Sequence, residues 1–352
     1  MSRFLNSRYA KLVPYTPGEQ PKDTKYIKLN TNESPFPPSP LAQKYAAEAA
    51  ENLELYSDPE CRDLVNAAAE YFGINPDEII FTNGSDEVLN FAFMAYGEKG
   101  VVFPDITYGF YSVFANLYGL DYTEIPLKED FTVDVNDYKN VGKTIFLANP
   151  NAPTGIALSP EQIEEIVKSN PETVVVIDEA YIDFGGISAL PLIKKYDNLL
   201  VTGTFSKSRS LAGGRLGFGI GSKNLICDLN TLKYSTNPYN VNRMTAAAGI
   251  GALKDDKYTK DNCQKIIENR EWTEKELQKL GFNVLPSSAN FLFAKHQKLL
   301  GKEIYLKLKE KGVLVRYFDK PRLYGYNRIT IGSKKQMSIF IEKLTEVLKE
   351  LL

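Results

Sequence analysis

"TVVVIDEAYIDF" (residues 173–184) is the stretch on which the fold turns. Val174 to Ile177 form an unbroken apolar, β-branched run that ends abruptly on Asp178. A run without polar alternation suits a strand covered on both faces, as in a mostly parallel sheet between two layers of helix. A carboxylate closing such a strand is costly to desolvate unless something pairs with it. The same pattern recurs on either side. Apolar runs at 79–82, 101–103, 121–125, 144–148, 198–203 and 216–221 alternate with helix-like stretches. This alternation predicts an α/β domain with a mostly parallel central sheet sandwiched by helices.

Outward from that core, residues 1–40 are irregular and proline-rich and read as an ordered arm. Helical patterns begin near 41 ("LAQKYAAEAAENL") and 61 ("CRDLVNAAAEYF"). A long helical stretch from Val241 leads into a region that mixes helices at 261–280, 301–311 and 335–351 with strands "NFLFAK", "VLVRYF" and "RITIG". The expectation is a large domain over 41–250 and a smaller α+β domain made of 251–352 with the arm 1–40.

Bulk properties remove several functions. The chain of 352 residues is 43% apolar and 24% charged, the composition of an ordinary globular protein. A net charge of −2 argues against a nucleic-acid partner, which would need a basic face. No apolar run reaches the roughly 18–20 residues of a membrane span, and the N-terminus lacks the apolar core of a secretory signal, so a cytoplasmic protein is expected. Cys61, Cys227 and Cys263 share no metal-ligand spacing and read as ordinary core or surface residues. The one histidine, His296, rules out a multi-histidine zinc site. Lying in the polar "AKHQKLLGK", it is expected at the surface rather than in a Ser-His-Asp triad. No metal is expected.

Four polar signals fall at the ends of expected strands, where open α/β sheets bind ligands. "FTNGSDEVL" (81–89) turns at a glycine and starts a helix with Ser85 and Asp86, whose free amides suit a phosphate; an ordinary N-cap reads the same way. "FLANPNAPTG" (146–155) places Asn151 in a turn that local turn chemistry also explains. Asp178 is followed three residues later by Tyr181, an arrangement a structural ion pair would equally produce. "TGTFSKSRSLAGGRLG" (202–217) sets Lys207 among Thr204, Ser206 and Ser208, with Arg215 eight residues on; a solvated surface loop looks similar. "GFGIG" at 217–221 lies within a strand and is not a dinucleotide-binding G-x-G-x-x-G.

Taken together, the four suit pyridoxal 5'-phosphate, which needs a lysine, an acid beside its ring nitrogen, a donor to its phenolic oxygen and donors for its phosphate. Lys207 and Asp178 supply the first two. Ser206, Thr204, Arg215 and the Ser85–Asp86 amides supply the phosphate donors, Arg215 with bidentate capacity.

The ordered landmarks "KLNTNESPFPPSP", "YSDPE", "TNGSDE", "PDITYGFY", "NPNAPTG", "DEAYIDF", "TFSKSRSLAGGRLG", "VLVRYF" and "RITIG" resemble the fold-type I pyridoxal-phosphate aminotransferases over nearly the whole chain, and more narrowly the histidinol-phosphate branch. The resemblance implies that Lys207 holds the cofactor and shuttles the proton, and that Asp178 pairs with the ring nitrogen. It implies that Tyr181 with Asn151 contacts the phenolic oxygen and that Tyr108 lies against the ring. Tyr56 would reach the cofactor phosphate of a second subunit, making a homodimer. Arg328 would grip the substrate's anionic group, with Arg316 and Tyr15 on a substrate phosphate. The implied reaction exchanges an amino group between an amino donor and a 2-oxo acid: glutamate and imidazole-acetol phosphate give 2-oxoglutarate and histidinol phosphate.

Threonine-phosphate decarboxylation and aromatic amino-acid transamination share the fold and stand as alternatives. A non-catalytic cofactor-binding sensor is a third, though no basic DNA-binding segment accompanies it. Two departures stand out. Ala152 replaces the second asparagine before Pro-Thr-Gly, leaving Asn151 as the asparagine of that turn. Arg209 puts a charge where the family carries small or aromatic residues, with no role in this reading.

Overall fold

The computed structural model describes residues 2–21 and 26–352. The expected arm thus falls partly outside the described residues, at 1 and 22–25. Its short strand β1 (Ile27–Lys28) precedes two helices, α1 (Pro40–Ala49) and α2 (Arg62–Phe72).

Seven strands follow: β2 (Ile79–Asn83), β3 (Val101–Pro104), β4 (Tyr122–Ile125), β5 (Thr144–Ala148), β6 (Val175–Asp178), β7 (Leu199–Thr204) and β8 (Leu216–Gly221). They form one sheet in the order β2-β8-β7-β6-β5-β3-β4. The central pairs are parallel, and β8 runs antiparallel to both β7 and β2. Successive side chains of a strand point to opposite faces, and here both faces are apolar. Ile145, Leu147, Val175 and Ile177 pack toward α2, α5 (Pro160–Lys168) and α7 (Arg243–Lys254). Phe146 and Val176 pack toward α3 (Ser85–Tyr96), α4 (Phe110–Tyr118) and α6 (Lys223–Thr236), where Phe93 stacks on Phe146 at 3.9 Å. The unbroken apolar run of β6 is the sequence record of this double burial.

Immediately after α7 comes α8 (Asp256–Lys279), whose Cys263 and Ile266 belong to a separate core. That core is built on a four-stranded antiparallel sheet of β9 (Phe282–Val284), β10 (Phe291–His296), β12 (Arg316–Tyr317) and β13 (Tyr326–Thr330). Helices α9 (Gly301–Glu310) and α10 (Lys334–Leu351) cover it, and Leu29 of the arm is buried in it. "VLVRYF", expected as one strand, is divided at Val315 because its halves pair differently. Residues 313–314 form β11 (Val313–Leu314), parallel to β1, whereas β12 pairs with β13. Among the described residues, no helix is long and apolar enough to cross a membrane.

His296 is not the surface residue its polar neighbours suggested. It is 4% exposed, paired in register with Phe282, and its Nδ1 accepts from the amides of Lys298 and Leu299 at 3.2 Å each. A strand carries alternate residues inward whatever the average polarity of the segment, and burial lowers the histidine's proton affinity.

Candidate active site

The carboxyl ends of β2, β5, β6 and β7 meet at a cavity that opens toward the arm and the four-stranded layer. It consists of two adjoining lobes of about 350 and 430 Å³ that share Tyr15, Thr31, Tyr108, Ala152, Tyr181 and Lys207. The first lobe reaches Ser85, Asp86, Asp178, Thr204, Ser206 and Arg215; the second reaches Arg316 and Arg328.

At the floor, Asp178 is 5% exposed. Its carboxylate accepts long bonds from Tyr111 Oη at 3.2 Å and Thr202 Oγ1 at 3.4 Å, and the Ala180 amide also faces it. Burial, with Asp86 nearby, pushes its carboxyl up to about 6. A buried acid so loosely held fits a cation opposite it.

The turn after β2 is built for an anion. Gly84 takes φ of 79° and caps α3 with no side-chain hydrogen bond, so the amides of Ser85 and Asp86 face the turn, whereas that of Glu87 bonds the Gly84 carbonyl. A Cβ on Gly84 would lie 2.4 Å from Arg215 Nη2, and one on Gly217 would lie 2.2 Å from Ser85 N. Both glycines let the helix start, β8 and the guanidinium crowd together. Arg215 Nη1 donates to Ser206 Oγ at 3.5 Å, and Nη2 lies 3.6 Å from Asp86. Tyr108 Oη donates to Asp86 at 2.7 Å, fixing its ring on the cavity wall.

Lys207 Nζ donates to the Thr31 carbonyl at 3.4 Å and sits 5.8 Å from the Tyr181 ring centre. Its turn is pinned residue by residue. Ser206 N donates to Thr204 Oγ1 at 3.1 Å, Ser208 Oγ to Asp183 at 2.5 Å, and Ser210 Oγ to Ser34 of the arm at 2.8 Å. Arg209 supplies the fourth pin. Only 7% exposed, it donates to the Ala252 carbonyl at 3.1 Å, lies 3.9 Å from Asp256 and covers the Tyr71 ring at 4.8 Å. Ala252 lies in the last turn of α7 and Asp256 starts α8, so the guanidinium satisfies an orphan helix-end carbonyl and faces an acid at a helix start. The charge left unassigned in the sequence therefore anchors the turn that carries Lys207.

In the second lobe, Arg316 and Arg328 are directly opposed across β12 and β13. Like charges in that position repel. Their hydrogen bonds go to backbone carbonyls: Arg328 to Asn30 at 2.9 Å, Arg316 to Thr16 and Pro17 at 3.4 and 3.5 Å. Arg328 Nε has no partner among the described residues. An anion between them would relieve both the repulsion and the orphan donor. Tyr15, stacked on Phe110 at 4.4 Å, closes this end.

Two expected residues lie elsewhere. Asn151 is turned away from the cavity: its Nδ2 donates to the Ile106 carbonyl at 2.9 Å and to Thr154 Oγ1 at 3.1 Å, and its Oδ1 accepts from Thr107 at 2.8 Å. Its amide is engaged in holding the turn, and it is not among the residues that line either lobe. Ala152 faces the cavity instead and brings no polar group. Tyr56 is 81% exposed, stacked on Tyr239 at 4.8 Å, outside this chain's own cavity. Asn32, Thr31, Tyr111 and Thr202 were missed. Their partners lie from 24 to 298 positions away in sequence, so no local pattern marks them.

Beside Asp178, Glu179 is 6% exposed and accepts from Ser188 Oγ at 2.5 Å and Ala189 N at 2.6 Å. Burial pushes it up to about 7. Its folded value lies above its ordinary one near 4.5, so its contribution to stability is greatest at low pH and is lost as pH rises through 4.5 to 7. Glu179→Gln keeps the shape without the charge. Thermal melts should show the variant gaining on the parent between about pH 4.5 and 7, by up to about 3 kcal/mol, and no further above that. A difference that does not change with pH would contradict this.

By fold and by family model, the chain belongs to the class I and II aminotransferases, whose model matches residues 24–344. Within them it belongs with the histidinol-phosphate aminotransferases. The enzyme of that name from Brachyspira hyodysenteriae is 53% identical over 353 residues, covering 99% of this chain and 100% of the relative. The one from Clostridium botulinum strain Kyoto is 48% identical over 354 residues and covers both chains fully. A crystal structure of histidinol-phosphate aminotransferase from Sinorhizobium meliloti in complex with pyridoxal-5'-phosphate matches with a TM-score of 0.84 at 27% identity, over 92% of this chain and 91% of that one.

Proposed function

We propose that this chain is a pyridoxal-phosphate-dependent aminotransferase that exchanges the amino group between histidinol phosphate and 2-oxoglutarate. The observation that carries the reading is one cavity with Lys207 at its centre, buried Asp178 on one side and the opposed Arg316 and Arg328 on the other. The full-length relatives favour this reading over decarboxylation or aromatic transamination.

The residues fit the cofactor: an open helix start with Arg215 over it for a phosphate, and a raised, loosely held carboxyl for a ring nitrogen. Bound there, pyridoxal phosphate supplies a carbonyl for the amino group and a ring that accepts the electron pair left when the substrate loses its Cα proton. Lys207 would hold the cofactor and, once released, carry that proton, with Thr31 as its resting partner. Asp178 would keep the ring nitrogen charged. Ser85, Asp86, Thr204, Ser206 and Arg215 would bind the phosphate, and Tyr108 would face the ring. Tyr181 would donate to the phenolic oxygen.

Arg328 and Arg316, with Tyr15, would take either the carboxylates of glutamate or the phosphate of the second substrate, since both are anions suited to guanidinium forks. Exposed Tyr56 supports a homodimer in which it completes the partner's phosphate site. The large domain would span 41–250 and the small one 1–40 with 251–352, the change of core near the start of α8 supporting that division. Highly charged metabolites as substrates favour a cytoplasmic location.

Incubating the purified protein and cofactor with histidinol phosphate and 2-oxoglutarate is expected to yield glutamate. Bound cofactor without glutamate would remove the substrate assignment.

A further inference from the structure

The hydroxyl of Tyr181 is fixed by a hydrogen-bond chain that begins outside its own sheet. Asn32 of the arm, 1% exposed with φ of 57°, gives its backbone N–H to Thr330 Oγ1 at 2.9 Å. The Thr330 hydroxyl has one proton, and it goes to Asn32 Oδ1, also at 2.9 Å. That contact sets which end of the Asn32 amide is oxygen and leaves Nδ2 to donate to Tyr181 Oη at 3.0 Å. Asn290 Nδ2 holds the Asn32 carbonyl at 2.9 Å, and both Thr330 and Asn290 are buried. Tyr181 Oη therefore receives a proton from Asn32, and its own proton is free to point elsewhere. The cavity wall there is Ala152, which offers no hydrogen bond.

We propose that Asn32 is a positioning residue that makes Tyr181 a committed donor into the cavity, toward the phenolic oxygen of the cofactor. This rests on the reading of Tyr181 given above. Accepting a bond at its oxygen strengthens Tyr181 as a donor. Thr330 lies two residues beyond Arg328 on β13, and Arg328 bonds the Asn30 carbonyl. The strand that carries an anion-binding arginine thus also aims Tyr181.

The test is a pH titration of the absorbance of the cofactor-loaded protein. A donor to the phenolic oxygen stabilises its anionic form and weakens its hold on the neighbouring proton, so losing that donor raises the midpoint. Asn32→Ala should raise it by roughly 0.5–1 pH unit, in the same direction as Tyr181→Phe, and should add nothing in the Tyr181→Phe background. A shift in Tyr181→Phe without one in Asn32→Ala overturns the inference and leaves the Tyr181 reading intact. No shift in either overturns the Tyr181 reading itself. A shift from Asn32→Ala that persists in the double variant overturns the inference, because Asn32 would then act by another route. Should Asn32→Ala fail to fold, Thr330→Ser should keep the parental midpoint and Thr330→Val should raise it; equal midpoints would sink the proposal.

Discussion

Lys207→Ala is expected to lower kcat for amino transfer on the order of 10³-fold or more, because one side chain both holds the cofactor and moves the proton. The loss should be chemical and not structural. Lys207 is half-buried and contributes one long hydrogen bond, 3.4 Å to the Thr31 carbonyl. Removing it leaves Ser208, Arg209 and Ser210 still pinning the turn. The variant should therefore melt close to the parent and still bind the cofactor through Arg215 and the open start of α3, without the covalent link. Adding a small primary amine should restore part of the rate. If turnover survived the substitution, the central reading of the cavity would be wrong.

The second large effect is expected at Asp178. Asp178→Asn preserves the shape and an acceptor for Tyr111 but removes the charge. It should cost about 10²- to 10³-fold in kcat, the scale of losing a charge aimed at a developing transition state. Stability should move the other way. The folded carboxyl sits near 6, above its ordinary 3.8, so its contribution falls as pH rises from about 4 to 6. Asparagine escapes that decline, and the cofactor-free variant should melt no lower than the parent at pH 8. A variant with full kcat would take Asp178 out of the mechanism.

Much of this was legible in sequence because it is local. The β6 run and its neighbours gave strands within a residue or so of their observed ends, since an unbroken apolar run has few other ways to bury itself. Lys207, Asp178 and Arg215 were legible because each stands at the end of such a run, where parallel sheets gather their polar ends. Asn151 was ambiguous because an asparagine in a turn can serve the turn or a ligand, and its bonds to Ile106, Thr107 and Thr154 are visible only in the fold. His296 misled because the polarity of "AKHQKLLGK" is an average, whereas burial in β10 is decided residue by residue.

The sequence by itself determined the alternation of strands and helices and the strand-end residues that converge on one cavity. Both follow from the period of the apolar pattern and from where its runs end. Only the tertiary structure decided where Arg209 goes, that Ala152 rather than Asn151 faces the cavity, and that Asn32 reaches Tyr181. Each of these depends on a partner tens to hundreds of positions away, and a hydrogen bond needs its two ends within about 3 Å.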